Sequence, residues 1–487
     1  MTTVFLVSIL TGFGIGSALS ASSSYIIKSD LPESSPKDFR PVKLMKGEPT
    51  KTPPIIFIVL ESTRADHIGP CYGYQRTTAP SICELAEEGV LFEQAYSQGT
   101  RTLISLPVLM TSLPPSSVGS NYNNWTSQMP NEIVTFPEVL REHNYSPKTN
   151  PDRQPNIEEK GFLQGFQFTS MNPSTVIKNT DSSEELFLWR FIHSTHTPYA
   201  PSPQFRQWDN VSVSSKRIQS LKGEKWNRFR ENHTSEELIN LYDAGIQEAD
   251  AQVGRLIEVL KEEGVYNESL IILTSDHGEA FGEHGIEGFH RGPPYEEVIH
   301  VPLIIKFPDE KYAGKREETV VGHNDIPHTI FDWTGIEGGF GLLGSSLIPV
   351  LDEGKGDSRF ILSADNSNHQ WMVRKGDLKY FVEDLERHCS NKYLAIDVLP
   401  QAYLVPEIIH QNFVDYEKEL DGQLFNLRQD PVEKKNVVDK YPSKAFSLKR
   451  QLCRIYDKSP SVQFNSSSDR EPSPELRKRL EDLGYLH

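Results

Sequence analysis

Basic charge is what this 487-residue chain lacks most plainly: 50 Lys and Arg stand against 67 Asp and Glu, a formal net charge of −17 at pH 7. A protein that grips a phosphate backbone unaided carries a basic stripe, so nucleic-acid binding is excluded, and the acidic surface serves solubility. Cysteine is scarce too. The four, Cys71, Cys83, Cys389 and Cys453, allow at most two disulfides. In an oxidising compartment, position alone favours Cys71 with Cys83 and Cys389 with Cys453; otherwise all four are free and buried. The fold therefore rests on a core, for which 37% hydrophobic residues over this length suffice. There is no internal repeat, and no Lys or Arg before Lys28. Residues 4–20, VFLVSILTGFGIGSALS, read as a signal-peptide core with a small-residue exit at Ala18-Leu19-Ser20, or as a truncated membrane span. The missing basic flank weighs against the signal peptide. Either reading places the remainder outside the cytoplasm, secreted, periplasmic or anchored to a membrane through the N-terminus.

What is present is an alternation of short apolar runs with helical patterns, as in a mainly parallel sheet sandwiched by helices. The expected organisation is a signal or membrane segment at 1–22, a Ser/Pro-rich linker at 23–52, a catalytic α/β domain at 53–356, and a smaller C-terminal α+β subdomain with an antiparallel sheet at 357–487. The runs IIFIVL, SLIIL and VPLIIKF read as strands. SICELAEEGVLFEQAY has helical spacing with Ile82, Leu85 and Ala86 inward, and further helices are expected over FPEVLREHNY, 236–263 and about 441–456. Six sequons, at Asn124, Asn144, Asn210, Asn232, Asn267 and Asn465, are glycosylation sites if the host is a eukaryotic secretory pathway.

Four segments carry chemistry. In LTSDHGEAFGEHG, residues 273–285, Asp276 and His277 follow a buried-looking strand. A carboxylate beside an imidazole at a strand end is half of a metal site, or else a surface turn. In PPIIFIVLESTRADHIG a strand delivers Glu61, a ligand or an acidic strand boundary. In GTRTLISLPVLMTSLPP, Thr102 opens a helical pattern, as a cap or, with a metal on its oxygen, as an activated nucleophile. FIHSTHTPYAP places His193 and His196 after an apolar run, and His193 reads as packing.

The order ESTRADHIGPCYGYQRTTAPSICELAEEGVLFEQAYSQ, TRTLISLPVLMTSLPP, HTPY, SDHGEAFGEHG and HVPLIIKFP resembles the sulfatase branch of the alkaline phosphatase superfamily. The resemblance runs from about residue 53 to the C-terminus, where MVRKGDLKYF and LFNLRQDPVEKKNVV are similar to the small sheet domain of many sulfatases. One departure matters. Main-type sulfatases oxidise the Cys or Ser of Cys/Ser-x-Pro/Ala-x-Arg to formylglycine, whereas the aligned stretch here is Thr102-Leu103-Ile104-Ser105-Leu106, without that arginine. Threonine cannot yield the aldehyde. The motif instead resembles the threonine nucleophile of phosphoglycerol transferases and lipoteichoic acid synthases, and Glu61 followed by Ser62 fits their single-carboxylate start better than paired aspartates.

The resemblance implies that Glu61, Thr102, Asp276 and His277 hold one divalent metal ion (Mn, Mg, Zn or Ca). It implies that the Thr102 oxygen attacks phosphorus or sulfur, that His196 and His290 contact the transferring group and protonate the leaving oxygen, and that Arg101 and Arg291 bind substrate oxygens. Arg64 ranks below both arginines, and His284 is a supporting group. The leading expectation is a metal-dependent hydrolase or transferase of phosphate (di)esters. The alternative is a sulfuric ester hydrolase without formylglycine, and a reading of another class is a catalytically silent binding protein. Substrates are small-molecule, lipid-headgroup or glycan esters; the region from about 150 to 235, expected to wall the pocket, carries no specificity pattern.

Overall fold

The computed structural model describes residues 49–118, 127–131, 133–149, 157–158, 160–169, 172–208, 211–285, 290, 292–337, 340–354, 359–365, 369–389, 422–459 and 465–466. The apolar segment at 4–20, nearly all of the linker, Asn124, Asn210, Arg291 and most of the C-terminal tail lie outside them. Among the described residues no helix is long and apolar enough to cross a membrane.

Six strands build the main sheet: β1 (Ile55–Leu60), β2 (Val90–Tyr96), β3 (Tyr145–Thr149), β4 (Glu185–Ile192), β5 (Leu270–Ser275) and β6 (His300–Lys306). They run in the order β2-β6-β5-β1-β4-β3, and short strands at the edges bring the sheet to nine among the described residues. β1 pairs in parallel with β4 and β5, and β4 with β3, whereas β6 runs antiparallel to both β5 and β2. Every residue of β1 and of β5 is buried, as expected of strands covered on both faces. The period of two splits β1 cleanly. Ile55, Phe57 and Val59 join a core with Phe136, Phe187 and Trp189, while Ile56, Ile58 and Leu60 face Leu241, Ile246 and Val253 on the other side.

The longer helices are α1 (Pro80–Glu88), α2 (Thr102–Thr111), α3 (Ser235–Glu262), α4 (Asp325–Thr334) and α5 (Pro442–Lys458). α3 starts with a reciprocal cap between Thr234 and Glu237, which satisfies backbone N–H groups left open at its first turn. One expectation needs correction. The helical spacing over SICELAEEGVLFEQAY does not continue past Glu88: Gly89 ends α1 and VLFEQAY becomes β2. A Cβ at Gly89 would collide with the Ile305 backbone, so the glycine lets the chain turn tightly against β6.

Beyond residue 357 the chain forms an antiparallel sheet of β7 (Ile361–Asp365), β8 (Gln370–Lys375), β9 (Leu378–Glu383) and β10 (Gln423–Asn426), with α5 packed on it. Two disulfides, Cys71–Cys83 and Cys389–Cys453, match the pairing favoured by position. The small sheet is joined to the large one through Tyr96, Val298 and Ile299, which pack on Ile361, Met372 and Phe381.

Candidate active site

β1 and β5 are in register with Leu60 beside Ser275, so Glu61 and Asp276 leave the sheet at the same edge, the carboxyl ends of parallel strands. Ser62 adopts a left-handed backbone with φ 53°. Its N–H donates to Asp276 Oδ1 at 2.9 Å, an oxygen that also accepts the His277 N–H at 2.9 Å. The other oxygen, Oδ2, accepts the Thr102 hydroxyl at 2.7 Å. Thr102 Oγ1 also lies 3.3 Å from His277 Nε2. Since His277 Nδ1 donates to the Gly278 carbonyl at 2.8 Å, Nε2 is the nitrogen with the lone pair, and it faces Thr102. Thr102 is not a cap: Arg101 occupies that position and Thr102 is the first residue of α2. Its hydroxyl is spent on Asp276 rather than on the helix.

The Glu61 carboxylate turns onto two histidines, with Oε2 against His193 Nδ1 and Oε1 3.8 Å from His196 Nε2. Burial alone would push the Glu61 carboxyl up, but the charges of His193 and His196 hold it down at about 2. The expectation that His193 merely packs is therefore wrong. Two histidines three residues apart behind a buried strand were the signal available for it. His196 Nδ1 donates to its neighbour's carbonyl, Thr197 O, at 2.6 Å, which directs Nε2 towards Glu61. The His290 ring centre is 5.0 Å from that of His277 and 5.5 Å from that of His196.

Glu279 was missed by the sequence reading except as part of the SDHGE run. It is fully buried, and its Oε1 sits 3.2 Å from His290 Nδ1. Burial pushes its carboxyl up to about 8 against the pull of His277 and His196, so near neutral pH the Glu279 carboxyl keeps its own proton. His323 was also missed, and no motif marks it. It lies buried 3.3 Å from Thr274 Oγ1, and burial lowers its pKa to about 3.

Arg101 stands partly buried beside Thr102. Arg64 is committed elsewhere, with Nε and Nη2 donating to Asp66 at 2.9 and 2.8 Å and Nη1 to Glu283 at 2.7 Å. His284 lies away from the cluster, its ring stacked on Tyr295 at 3.8 Å, with Nδ1 2.8 Å from Glu297 Oε1 and Nε2 3.0 Å from the Val432 carbonyl. It ties the loop before His290 to the C-terminal region.

Among the described residues no three of His, Cys, Asp and Glu gather as a metal cluster. The expected four-ligand set is thus assembled only in part, because Glu61 is turned onto His193. The remaining donors do suit a divalent cation. Asp276 Oδ2 and His277 Nε2 are 3.5 Å apart, Thr102 Oγ1 stands close to both, and the imidazole is held in the ligating tautomer.

Gly278 keeps this arrangement tight. Its N–H donates to the Val298 carbonyl at 2.6 Å and that of Glu279 to the Glu297 carbonyl at 2.9 Å, while a Cβ at Gly278 would fall inside the Glu297 carbonyl. Gly278→Ala is expected to destabilise the fold by about 1–3 kcal/mol, the usual range for forced overpacking, and to displace His277. Urea titration checks the first effect; a variant as stable as the parent would refute it.

The sulfatase family model matches residues 53–172 and 167–336, and the model for the C-terminal region of N-sulphoglucosamine sulphohydrolase matches residues 282–458. Arylsulfatase K of Danio rerio is 27% identical over 259 residues, covering 49% of this chain and 44% of that protein. The N-acetylglucosamine-6-O-sulfatase of Bacteroides thetaiotaomicron is 28% identical over 245 residues, 49% of this chain and 39% of its own length. This chain therefore spans less than half the length of these curated relatives. Among solved structures, the phosphonate monoester hydrolase of Agrobacterium radiobacter superposes with a TM-score of 0.61 at 18% identity, over 87% of this chain and 98% of the other, which shows the shared fold. With a family match over the greater part of its length and the large and small sheets arranged as expected, the chain belongs to the sulfatase family.

Proposed function

We propose that this protein hydrolyses sulfuric esters, with a sulfated glycan as the substrate class and the Thr102 hydroxyl as nucleophile. The observation that carries the reading is Thr102 Oγ1, 2.7 Å from Asp276 Oδ2 and 3.3 Å from His277 Nε2 in a sulfatase fold. The order of the two chemical readings made from the sequence is thereby reversed, since the similar curated proteins carry sulfatase names. Two disulfides agree with an extracytoplasmic setting.

Asp276, His277 and Thr102 would hold a divalent cation, with Glu61 as fourth ligand on leaving His193. Such an ion supplies charge neutralisation for the non-bridging ester oxygens. Asp276 Oδ2 takes the Thr102 proton as Oγ1 bonds to sulfur. His290, or His196 beside it, gives a proton to the departing ester oxygen as the sulfur–oxygen bond breaks. Water then attacks the same sulfur, losing a proton to that histidine, and Thr102 leaves with its own proton restored. Arg101, partly buried beside Thr102, would bind a sulfate oxygen.

Threonine itself favours a second reading, hydrolysis or transfer of phosphate (di)esters, because it has no route to the aldehyde of formylglycine. The test is turnover of 4-nitrophenyl sulfate against bis(4-nitrophenyl) phosphate, before and after chelation. The expected result is faster sulfate turnover, a fall of at least about 100-fold in chelator, and recovery on adding Mn²⁺ or Ca²⁺. Faster phosphodiester turnover would install the second reading, and cation binding without either activity would leave a silent member of the family.

A further inference from the structure

The turn that links β1 to the site is held from behind by α3. Tyr242 is fully buried on that helix. Its hydroxyl donates to the Ser62 carbonyl at 2.7 Å and accepts the Arg64 N–H at 2.9 Å, so one phenol oxygen bridges the two residues that flank Thr63. The bridged turn is strained. Ser62 sits at φ 53°, a region an L side chain occupies only when its surroundings impose it. Its own hydroxyl, buried, has no hydrogen-bond partner among the described residues. The restraints are on its backbone, with Asp276 Oδ1 in front on the N–H and Tyr242 behind on the carbonyl. On the next residue, the Thr63 N–H is anchored to Ser275 Oγ at 2.7 Å.

We infer that Tyr242 is a positioning residue, whose hydroxyl keeps Ser62 left-handed so that the Ser62 N–H occupies Asp276 Oδ1 and reserves Oδ2 for Thr102. The inference rests on the reading of Asp276, His277 and Thr102 as the cation-binding and reacting centre. The ring is well suited to a clean test, because its packing on Phe281, Tyr199 and His67, at 5.0, 5.7 and 5.4 Å, does not involve the oxygen. Tyr242→Phe removes the bridge and keeps the contacts.

The experiment compares the full chain, Tyr242→Phe, Ser62→Gly and the double variant by calorimetric titration with Mn²⁺, by kcat and KM on the better ester, and by urea unfolding without metal. Tyr242→Phe is expected to raise the Mn²⁺ Kd about tenfold and to lower kcat by a similar factor at unchanged KM, the scale of one or two buried hydrogen bonds. Adding Ser62→Gly is expected to bring both back to within about threefold, because glycine holds a positive φ without strain. A purely structural tyrosine would shift the urea midpoint, and glycine at position 62 would not repair it. Wild-type Mn²⁺ affinity in Tyr242→Phe, or a loss that Ser62→Gly leaves in place, overturns the inference. A parent protein that binds Mn²⁺ but turns over neither ester would sink the hydrolase reading and leave the Tyr242 comparison intact. A parent that binds no Mn²⁺ would overturn the inference, with ester turnover then judged on its own.

Discussion

Thr102→Ala is expected to lower turnover by roughly 10⁴-fold or more while leaving the fold intact, the loss typical when a nucleophile acting within a catalytic unit is removed. The expectation follows from placement. The hydroxyl donates to Asp276 Oδ2, stands beside the lone pair of His277, and caps no helix, so its removal costs α2 nothing. Thr102→Ser keeps the oxygen on the same backbone and is expected to retain activity to within about tenfold, the difference being the rotamer freedom gained without the methyl. The measurement is kcat for the two variants on whichever ester the parent turns over best, alongside thermal unfolding. Alanine at 102 retaining more than a tenth of the parent rate would remove Thr102 from the chemistry and turn attention to His193 and Glu61.

Lys379→Met is the substitution with the largest expected effect on stability, a loss of about 3–5 kcal/mol, the cost of stranding buried charges by deleting their partner. Lys379 is only 1% exposed, with Nζ 3.0 Å from Glu296 Oε1 and 2.8 Å from Glu433 Oε1. Glu296 also accepts from the Tyr96 hydroxyl at 2.7 Å, and Arg374 lies 3.7 Å from it. Burial raises both carboxyls; Lys379 and Arg374 outweigh it at Glu296, whereas Glu433 stays above the ordinary carboxylate range. Without Lys379 neither acid keeps its lysine. Adding Glu433→Gln to Lys379→Met should recover part of the loss by removing one of the stranded charges, and urea titration of the two proteins reads the difference. A single variant within about 1 kcal/mol of the parent would show that the network is relaxed or hydrated.

The parts of this molecule that were legible in sequence are those whose signals are local. IIFIVL and SLIIL announce buried strands, the amphipathic spacing over 236–263 announces α3, and SDHG announces a strand-end pair. The departures have physical reasons of equal clarity. The apolar positions of SICELAEEGVLFEQAY satisfy a helical period across Gly89, but that glycine sits against the Ile305 backbone and ends the helix. His193 follows a tryptophan-bearing apolar strand and so resembled a packed ring, yet what fixes it is Glu61, which is more than a hundred residues away in the chain. Glu279 is chemically ordinary in sequence; only its complete burial lifts its carboxyl so far. Side-chain roles set by pairing across the sheet edge have no period to read.

The anchoring of Glu296 has a consequence for the order in which this protein can be made. The helical turn that begins at Glu296 is clasped by Lys379 and Glu433, residues the ribosome delivers after every described strand of the large sheet is already outside the exit tunnel. A nascent chain that stops short of them is expected to lack one of the two cations that face Glu296, leaving only Arg374. The covering of Tyr96, Val298 and Ile299 by Ile361, Met372 and Phe381 is therefore a late, non-local step, and chains stalled before it are expected to leave those three side chains uncovered.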